Sequence, residues 1–529
     1  MTTGSIAANS ELEAIIARTA LKYDLLPYTS NPFPQTQPGR LAALARLFGL
    51  ETASMDGARV LELGCAGGGN IIPLAARYPD AKFVGVDLSR TQVAAGRERI
   101  LQLGLRNIEI QCRSFTELTA DDGVFDYIIC HGVYSWVPAP VREAILAICN
   151  ARLSPKGVAI VSYNVLPGWR MLQPLRDAFL MHAPDTMEPR QRVAHARSLL
   201  EFLKTYGSEN GAYKQTLDFW ASRFPNFTDD YIAHDFLEEV NDPCTFRDFI
   251  AAAGRHGLGF LSESELPGMI LDNQPAETAR KVREMSGNQL FATEQYMDLL
   301  TGRTFRQTLL VADARLAQVN RNIEPSRLAG LHVLTGGDMK IARDEKGGGS
   351  VTDSAGRQLR SSSTEVIDAI ESVVSGFPGS SSVDALMAEA GKRGAELPAQ
   401  VQEALFKMAL VGLCTLTSEP VRATPAPSRK PVASALARYD AKRGDLATTN
   451  ARHERIAFDS IGQVVLPALD GSNDVNALIE IVLQAVRAGR INFFRDGAPI
   501  ADLAEREKIA IDQVRNLLPG FARGGLLEA

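Results

Sequence analysis

The sequence predicts an α/β protein with a mostly parallel sheet, a helical insertion and a mostly helical C-terminal domain. Between residues 51 and 170, short β-branched runs alternate with helical stretches, which is typical of a parallel sheet with helical crossovers. Residues 171–240 are helical and show no convincing strand. Two further strands, near 258–266 and 304–312, complete the sheet, and we expect the last one to run antiparallel.

The elements of the sheet can be placed one by one. Five strands come from the runs ARVLELG, AKFVGVD, IEIQC, FDYIICH and GVAIVSYN. The helices between them are expected to begin near Asn70, Ser89 and Val141. Because strands and helices alternate, the carboxyl ends of the strands should meet at one edge of a Rossmann-like sheet, where ligands bind.

Composition and pattern divide the chain into five segments. The first is an N-terminal arm or lid, rich in proline and aromatic residues, which precedes the core that holds the first five strands. The helical insertion follows, then the remainder of the core, and finally the C-terminal domain. The predicted bounds of the five segments are 1–50, 51–170, 171–240, 241–318 and 319–529.

The C-terminal domain contains a weak internal repeat. Residues 379–386 (GSSSVDAL) match residues 471–478 (GSNDVNAL), and residues 408–413 resemble residues 521–526. Two copies of a small, winged-helix-like unit would explain the match, with an insertion in the second copy near INFFRDGAPIADL. The basic, proline-rich stretch 420–444 is expected to be a linker or wrap between the copies.

The overall composition limits the classes of function. The chain has 529 residues and a formal net charge of −6, so no basic field indicates binding to nucleic acid. Its six cysteines are scattered without a CxxC pair, which argues against a zinc site or disulfide framework and favours a reducing, cytoplasmic location. The N-terminus does not resemble a signal peptide, and no apolar run reaches the ~20 residues of a membrane span.

An acidic residue and a glycine-rich turn follow the first strand. Glu62 ends the strand, Gly64 and Gly68 allow the backbone to turn sharply, and a helix opens at Asn70. A dinucleotide would place its pyrophosphate at this helix N-terminus, where the carboxylate would repel it. The same carboxylate can pair with the ammonium group or the water-bridged tail of a methionine moiety.

Ala66 stands where the commoner motif has glycine, and its methyl group narrows the space beside the ligand.

A second acid, Asp87, ends the second strand and is followed by Leu88. A carboxylate at this place can accept hydrogen bonds from both ribose hydroxyl groups of a nucleoside. Together, Glu62 and Asp87 favour S-adenosylmethionine over NAD. The other residues of this region that we expect to bind the cofactor are Gly64, Ala66, Gly68, Asn70 and Leu88. The alternative is a glycine-rich turn that binds nothing.

Candidates for the adenine end and for a lid lie further from this turn. After the third strand, Ser114 is expected to bind the adenine amino group weakly, with Phe115 against the ring, and an ordinary loop is an equal alternative. In the arm, Tyr28 and Phe33 belong to a proline-stiffened segment that would cover the cofactor and exclude water. A strap that only packs domains together is the alternative for the arm.

Aromatic residues follow the fourth and fifth strands, where a methyl acceptor should meet the sulfonium. His131, Tyr134 and Trp136 come directly after the fourth strand, and Tyr163 and Asn164 end the fifth. Aromatic rings attract ammonium and sulfonium cations, and an apolar pocket lowers the pKa of a lysine acceptor so that it can lose its proton. We expect His131 to contact both the cofactor and the methyl acceptor. The alternative role for the cluster is packing.

No metal site is predicted. His234 and Glu238 have the i, i+4 spacing of ligands on one helix face, but only one histidine is involved. We therefore expect a solvated acidic face at this segment.

Several stretches resemble one family. Bacterial class I S-adenosylmethionine-dependent methyltransferases that carry a methyltransferase regulatory domain are similar to this chain in YDLLPYTSNPFPQTQP, LELGCAGGGNIIPLA, HGVYSWVP, SYNVLPGW, YIAHDFLEEVNDPCTFRDFI and RTFRQTLLV. Characterised members resemble protein-lysine methyltransferases that act on outer-membrane proteins. The resemblance implies a protein substrate that is methylated on lysine before export. It also implies a homodimer to which the helical insertion contributes, and a C-terminal module that shapes an open substrate cavity.

Three functions stay open on the sequence alone. The first is transfer of methyl groups to protein lysine side chains, and the second is methylation of a small molecule in a closed pocket. The third is a cofactor-sensing module that binds a partner protein. An open cleft between the core and residues 320–529 would favour the first function, and a sealed cavity would favour the second.

Overall fold

The computed structural model describes residues 3–207, 209 and 211–528. Residues 1 and 2 of the predicted arm, Ser208 and Asn210 of the predicted insertion, and residue 529 of the predicted C-terminal domain lie outside the described residues. Two helices flank the proline-rich centre of the arm: α1 spans Thr3–Leu25 and α2 spans Pro38–Leu47. Prolines between them lack the N–H that a helix needs, so the chain there is extended apart from one 3₁₀ turn.

A seven-stranded sheet forms the centre of the molecule, with the strand order β3-β2-β1-β4-β5-β7-β6. Strands β1 to β5 run parallel, and β7 lies between β5 and β6 and runs antiparallel to both. This arrangement confirms the predicted Rossmann-like fold and the antiparallel last strand. The strands are β1 (Arg59–Leu63), β2 (Lys82–Asp87), β3 (Ile108–Cys112), β4 (Phe125–Cys130), β5 (Leu153–Asn164), β6 (Leu258–Glu263) and β7 (Phe305–Ala312).

Three helices make the parallel crossovers close to where the sequence predicts them. They are α3 (Ile71–Arg77), α4 (Arg90–Gln102) and α5 (Ala139–Arg152). Ser89 caps α4 by accepting a hydrogen bond from the backbone N–H of Gln92 at 3.2 Å, which satisfies one of the free N–H groups of the first turn.

The insertion after β5 is helical and has its own apolar cluster, built around Phe179, Phe224 and Phe236. A π-helical turn at Ile232–Phe236 ends the insertion and packs towards the arm. The helices of the insertion are α6 (Gln173–His182), α7 (Pro189–Tyr206), α8 (Gly211–Ala221) and the single turn α9 (Asp229–Tyr231). Three more helices lie before β6 or between β6 and β7: α10 (Phe246–Arg255), α11 (Ala276–Ser286) and α12 (Leu290–Thr301).

The two stretches of the C-terminal half end in the same way. In both, the last helix is followed by a left-handed glycine, Gly412 or Gly525. The residues after this glycine pair with a segment near the start of the stretch: residues 414–417 pair with residues 332–335 in the first, and Leu527 forms a bridge with Ala433 in the second. The first stretch comprises β8 (His332–Thr335), β9 (Lys340–Arg343), β10 (Gly349–Thr352), β11 (Gln358–Ser361), α13 (Thr364–Ser375), β12 (Ser381–Ser382), α14 (Val383–Gly391), α15 (Leu397–Val411) and β13 (Cys414–Thr417).

We name residues 429–528 the second winged-helix unit. Its elements are α16 (Ala435–Arg443), β14 (Ala447–Thr449), β15 (Arg455–Ala457), α17 (Ser460–Val465), α18 (Val475–Arg487), β16 (Phe494–Arg495), β17 (Ala498–Pro499) and α19 (Leu503–Arg523). The hairpin β16–β17 lies in the segment where the sequence predicts an insertion. The stretch predicted to be a linker is not wholly irregular, because α16 occupies its end and buries Leu436 and Ala437.

The two stretches of the C-terminal half, although alike in sequence, belong to different apolar cores. Residues of the first stretch, such as Val333 and Leu416, share one apolar cluster with α2 and with one face of the sheet. The second winged-helix unit has a separate cluster around Leu478, Val482 and Phe521. The predicted segment boundaries stay predictions. Among the helices of the described residues, none combines the length and apolar character needed to cross a bilayer.

Candidate functional site

The carboxyl ends of β1, β2 and β4 bring three predicted residues to one edge of the sheet. Glu62 lies near the end of β1, Asp87 ends β2, and His131 follows β4. Strand β1 pairs with both β2 and β4, so Glu62 lies between the other two. This is the edge at which open α/β sheets bind ligands.

The turn after β1 can form only because glycine occupies its two sharpest positions. Gly64 and Gly68 both have φ of +76°, in the left-handed region that other residues avoid. A Cβ on Gly68 would lie 2.7 Å from the side chains of Ile72 and Ile110. Ala66 is also left-handed, with φ of +49°, so the departure from glycine introduces strain as well as the added methyl group.

Glu62 is buried and only half satisfied. Its Oε1 accepts a hydrogen bond from Asn70 Nδ2 at 2.8 Å, whereas its Oε2 is buried without any partner. Burial and the charge of Asp87 raise the pKa of Glu62 to about 8, against the lowering effect of Asn70. A buried carboxylate oxygen without a partner is costly, so this atom is the natural place for a cationic ligand group.

Asp87 is oriented by backbone groups on both sides. Its two oxygens accept hydrogen bonds from the N–H of Ala66 at 2.8 Å and of Ser89 at 2.9 Å. Burial raises the pKa of Asp87 above its ordinary value, although these backbone donors lower it. Leu88 lies between the carboxylate and the start of α4, and its role in cofactor binding stays a prediction.

The arm crosses directly over the glycine turn. Ser30 Oγ accepts a hydrogen bond from the N–H of Gly69 at 2.7 Å, and the N–H of Phe33 donates to Asn70 Oδ1 at 2.9 Å. The ring of Phe33 lies against His131, with 4.1 Å between ring centroids. Tyr28 points elsewhere, since its ring contacts His234 of the insertion at 5.8 Å.

At the acceptor end, His131 and Asn164 each present a buried nitrogen without a partner. Burial lowers the pKa of His131 to about 4, so its ring is neutral near neutral pH. Its Nδ1 and the Nδ2 of Asn164 are both buried and unpaired. Trp136 faces the insertion, where its ring meets Trp169 at 6.0 Å and the guanidinium of Arg176 at 5.7 Å.

Four other predicted residues take part in packing or capping. Tyr163 is 1% exposed and stacks on Phe249 at 4.0 Å, and Tyr134 meets the same ring at 5.2 Å. Ser114 caps the 3₁₀ turn that follows β3, and Phe115 is buried in the apolar cluster under the sheet. The functional roles of these four residues stay predictions. Their geometry matches the alternatives stated for them, which are packing for Tyr134 and Tyr163 and an ordinary loop for Ser114 and Phe115.

The expectation of a solvated acidic face at His234 and Glu238 is wrong. Both residues are only 5% exposed, because α1 covers this segment. Tyr23 stacks on His234 at 4.2 Å, and Lys22 pairs with Glu238 at 3.2 Å. Burial raises the pKa of the neighbouring Asp235 to about 7, against the charge of Arg176.

Two further residues contact Asn70, one in the arm and one that reasoning from the sequence missed. Thr36, in the arm that the sequence predicts to cover the cofactor, is fully buried and accepts a hydrogen bond from Asn70 Nδ2 at 3.1 Å. His453 of the second winged-helix unit lies 2.8 Å from Asn70 Oδ1 through its Nε2. No local pattern marks His453, because its partner is 383 residues away in the chain.

Family models match three parts of the chain. A methyltransferase domain matches residues 60–157, a predicted methyltransferase regulatory domain matches residues 228–312, and a PKMT C-terminal winged helix domain matches residues 429–526. The uncharacterized protein RP789 of Rickettsia prowazekii is 34% identical over 520 residues, which cover 96% of this chain and 93% of that protein. The chain belongs to this family of class I methyltransferases.

Solved structures agree with this assignment. PKMT2 from Rickettsia typhi has a TM-score of 0.81 and 27% identity, over 95% of this methyltransferase and 100% of that chain. The same protein in complex with AdoHcy has a TM-score of 0.80. The methyl donor of this methyltransferase is S-adenosylmethionine, and the unpaired oxygen of Glu62 together with the glycine turn fits its amino-acid end.

Substituting Gly69 with alanine tests whether the arm closes the site. Gly69 has no left-handed strain, but a Cβ there would overlap the backbone carbonyl of Ser30, so the arm must move. We expect Gly69→Ala to weaken AdoHcy binding at least fivefold in calorimetry and to speed hydrogen exchange in residues 27–33. Gly254→Ala is the control, because nothing lies within 4 Å of the added carbon. Unchanged binding and exchange in Gly69→Ala would show that the arm is not a lid.

Proposed function

We propose that this methyltransferase transfers methyl groups to lysine side chains of protein substrates. The observation that carries the proposal is the similarity to PKMT2, which extends over the whole of that chain and includes the second winged-helix unit. The proposed specificity for lysine therefore rests on a relative that matches 95% of this chain, and not on the methyltransferase core alone.

The residues of the site are assigned roles within this proposal. Glu62 binds the ammonium group of the methionine moiety, and Asp87 accepts hydrogen bonds from the ribose hydroxyl groups. Phe33 and His131 enclose the sulfonium end of the cofactor. S-adenosylmethionine supplies, when bound, a methyl group that is already electrophilic. The chain then has to position a neutral amine and exclude water, which the arm and the aromatic rings are placed to do.

An open groove supports a polypeptide substrate over a small molecule. It has a volume of about 390 Å³ and lies between the arm, α4 and the second winged-helix unit. Its walls combine polar and apolar surface and include Arg99, Arg443 and Arg455. A groove open to solvent between the core and the C-terminal half accommodates an extended segment, whereas a small-molecule enzyme would be expected to seal its pocket.

We also propose that the substrate is a surface or outer-membrane protein, methylated in the cytoplasm before export. All six cysteines of the chain are free, which is the usual state in a reducing compartment. The family resemblance provides the class of substrate.

Mass spectrometry of proteins incubated with the enzyme tests the acceptor. With methyl-labelled S-adenosylmethionine and a cell lysate, we expect label on lysine side chains of protein, and at least a tenfold lower signal for Glu62→Gln. Label found only in small molecules would favour the second function. Cofactor binding without any transfer would favour the sensing module.

The raised pKa of Glu62 predicts pH-dependent cofactor binding. Below pH 8 the carboxyl group of Glu62 is mostly protonated in the free protein. The ammonium group of the ligand favours the carboxylate form of Glu62, so binding releases this proton. Affinity for AdoHcy should therefore rise with pH, by up to about tenfold per unit, and level off near pH 8. Glu62→Gln should remove this dependence, and a pH dependence that survives in Glu62→Gln would contradict the assignment. Calorimetry in buffers of different ionisation enthalpy would count the released proton.

We propose a homodimer formed through the helical insertion. Large apolar side chains are exposed there, with Met181 at 81% and Tyr206 at 76%. Phe202 and Tyr206 lie one turn apart on α7, with 5.4 Å between their rings. Such a cluster on an otherwise polar helix face is typical of a protein interface.

A charge on this face should break the dimer. We expect Phe202→Glu to halve the mass found by light scattering at micromolar concentration, because a carboxylate would be buried without a partner. Leu101→Glu is the matched control, since Leu101 is 71% exposed on α4, outside the insertion. A monomeric wild-type protein, or an unchanged mass in Phe202→Glu, would refute the proposed interface.

A further inference from the structure

The second winged-helix unit reaches the cofactor site through one side chain. His453 lies in the turn between β14 and β15 and is 3% exposed. Its Nε2 is 2.8 Å from Asn70 Oδ1, and Asn70 Nδ2 is in turn 2.8 Å from Glu62 Oε1. The imidazole is therefore separated from the carboxylate of the cofactor site by a single amide group.

The direction of these hydrogen bonds is fixed by chemistry. The backbone N–H of Phe33 can only donate, so it fixes the oxygen of Asn70 on its own side and leaves the NH₂ of Asn70 to donate to Glu62. The oxygen therefore also faces His453, whose Nε2 must carry a proton and donate. Burial and the charge of Arg77 lower the pKa of His453 to about 3, so the ring is neutral and has this single donor.

The turn that carries His453 is held tightly against the core. Arg77 donates to the carbonyl of Ala451 at 2.7 Å, and Gln37 donates to the carbonyl of Arg452 at 3.0 Å. His453 itself has φ of +63°, in the left-handed region. A non-glycine residue keeps such a conformation only where its surroundings enforce it, and strain of this kind often marks a functional position.

We infer that His453 is a positioning residue, which holds Asn70 and through it aims Glu62 at the amino-acid end of the cofactor. The inference rests on the proposed role of Glu62. It makes the second winged-helix unit part of the cofactor site, and any movement of that unit would alter how tightly the methionine moiety is held.

Two ligands separate positioning from general stability. AdoHcy has the amino-acid end, whereas 5′-methylthioadenosine has the same nucleoside and thioether without it. We expect His453→Leu in the full chain to weaken AdoHcy at least fivefold in calorimetry and to change the affinity for 5′-methylthioadenosine less than twofold. His453→Gln, which has an amide N–H of similar reach, should recover AdoHcy binding to within about twofold of wild type.

A second variant guards against misfolding. Asparagine tolerates the left-handed region, but its side chain is too short to reach Asn70, so His453→Asn should behave like His453→Leu without added strain. Equal weakening of both ligands, no weakening, or no recovery in His453→Gln would overturn the inference. Glu62→Gln is measured alongside. If Glu62→Gln also fails to weaken AdoHcy more than 5′-methylthioadenosine, the proposed role of Glu62 is wrong. If Glu62→Gln weakens AdoHcy selectively and neither His453→Leu nor His453→Asn does, only the role of His453 is wrong.

Discussion

The buried side-chain amide of Asn70 is the interaction on which the site depends. It is 2% exposed and joins three distant parts of the chain. Its oxygen accepts from the arm at Phe33 and from His453, and its nitrogen donates to Glu62 and Thr36. Because a buried amide must satisfy both its donors and its acceptor, the arm, the glycine turn and the second winged-helix unit have to be in place together.

Burial also sets the charge of the site before the cofactor arrives. It raises the pKa of Glu62 to about 8 and lowers that of His131 to about 4, so both groups favour their neutral forms near neutral pH. A cationic ligand reverses this balance at Glu62 and has no such effect on the neutral imidazole. In the proposed role of Glu62, the entry of an ammonium group converts its carboxyl group to a carboxylate. Groups with shifted pKa values of this kind cluster where proteins bind or react.

The two C-terminal stretches end in the same way but attach to the core differently. The first is continuous with the apolar cluster of α2 and the sheet, whereas the second has its own apolar core. The second winged-helix unit is attached through polar contacts, among them the pair between Arg99 and Asp440, whose Nη2 and carboxylate oxygens are 2.7 Å apart. Polar contacts specify a geometry closely and are weaker than a shared apolar core.

The sequence by itself determined the sheet, its crossover helices and the edge at which Glu62, Asp87 and the glycine turn meet. These features follow from local rules, since side-chain periodicity defines the strands and glycine alone tolerates φ of +76° at Gly64 and Gly68. Only the tertiary structure decided which aromatic rings face the site, because a strand-end residue such as Tyr163 can turn to either side of the sheet and here packs on Phe249. Tertiary packing also buried His234 under α1 and brought His453 to Asn70, contacts between residues hundreds of positions apart that no local pattern encodes.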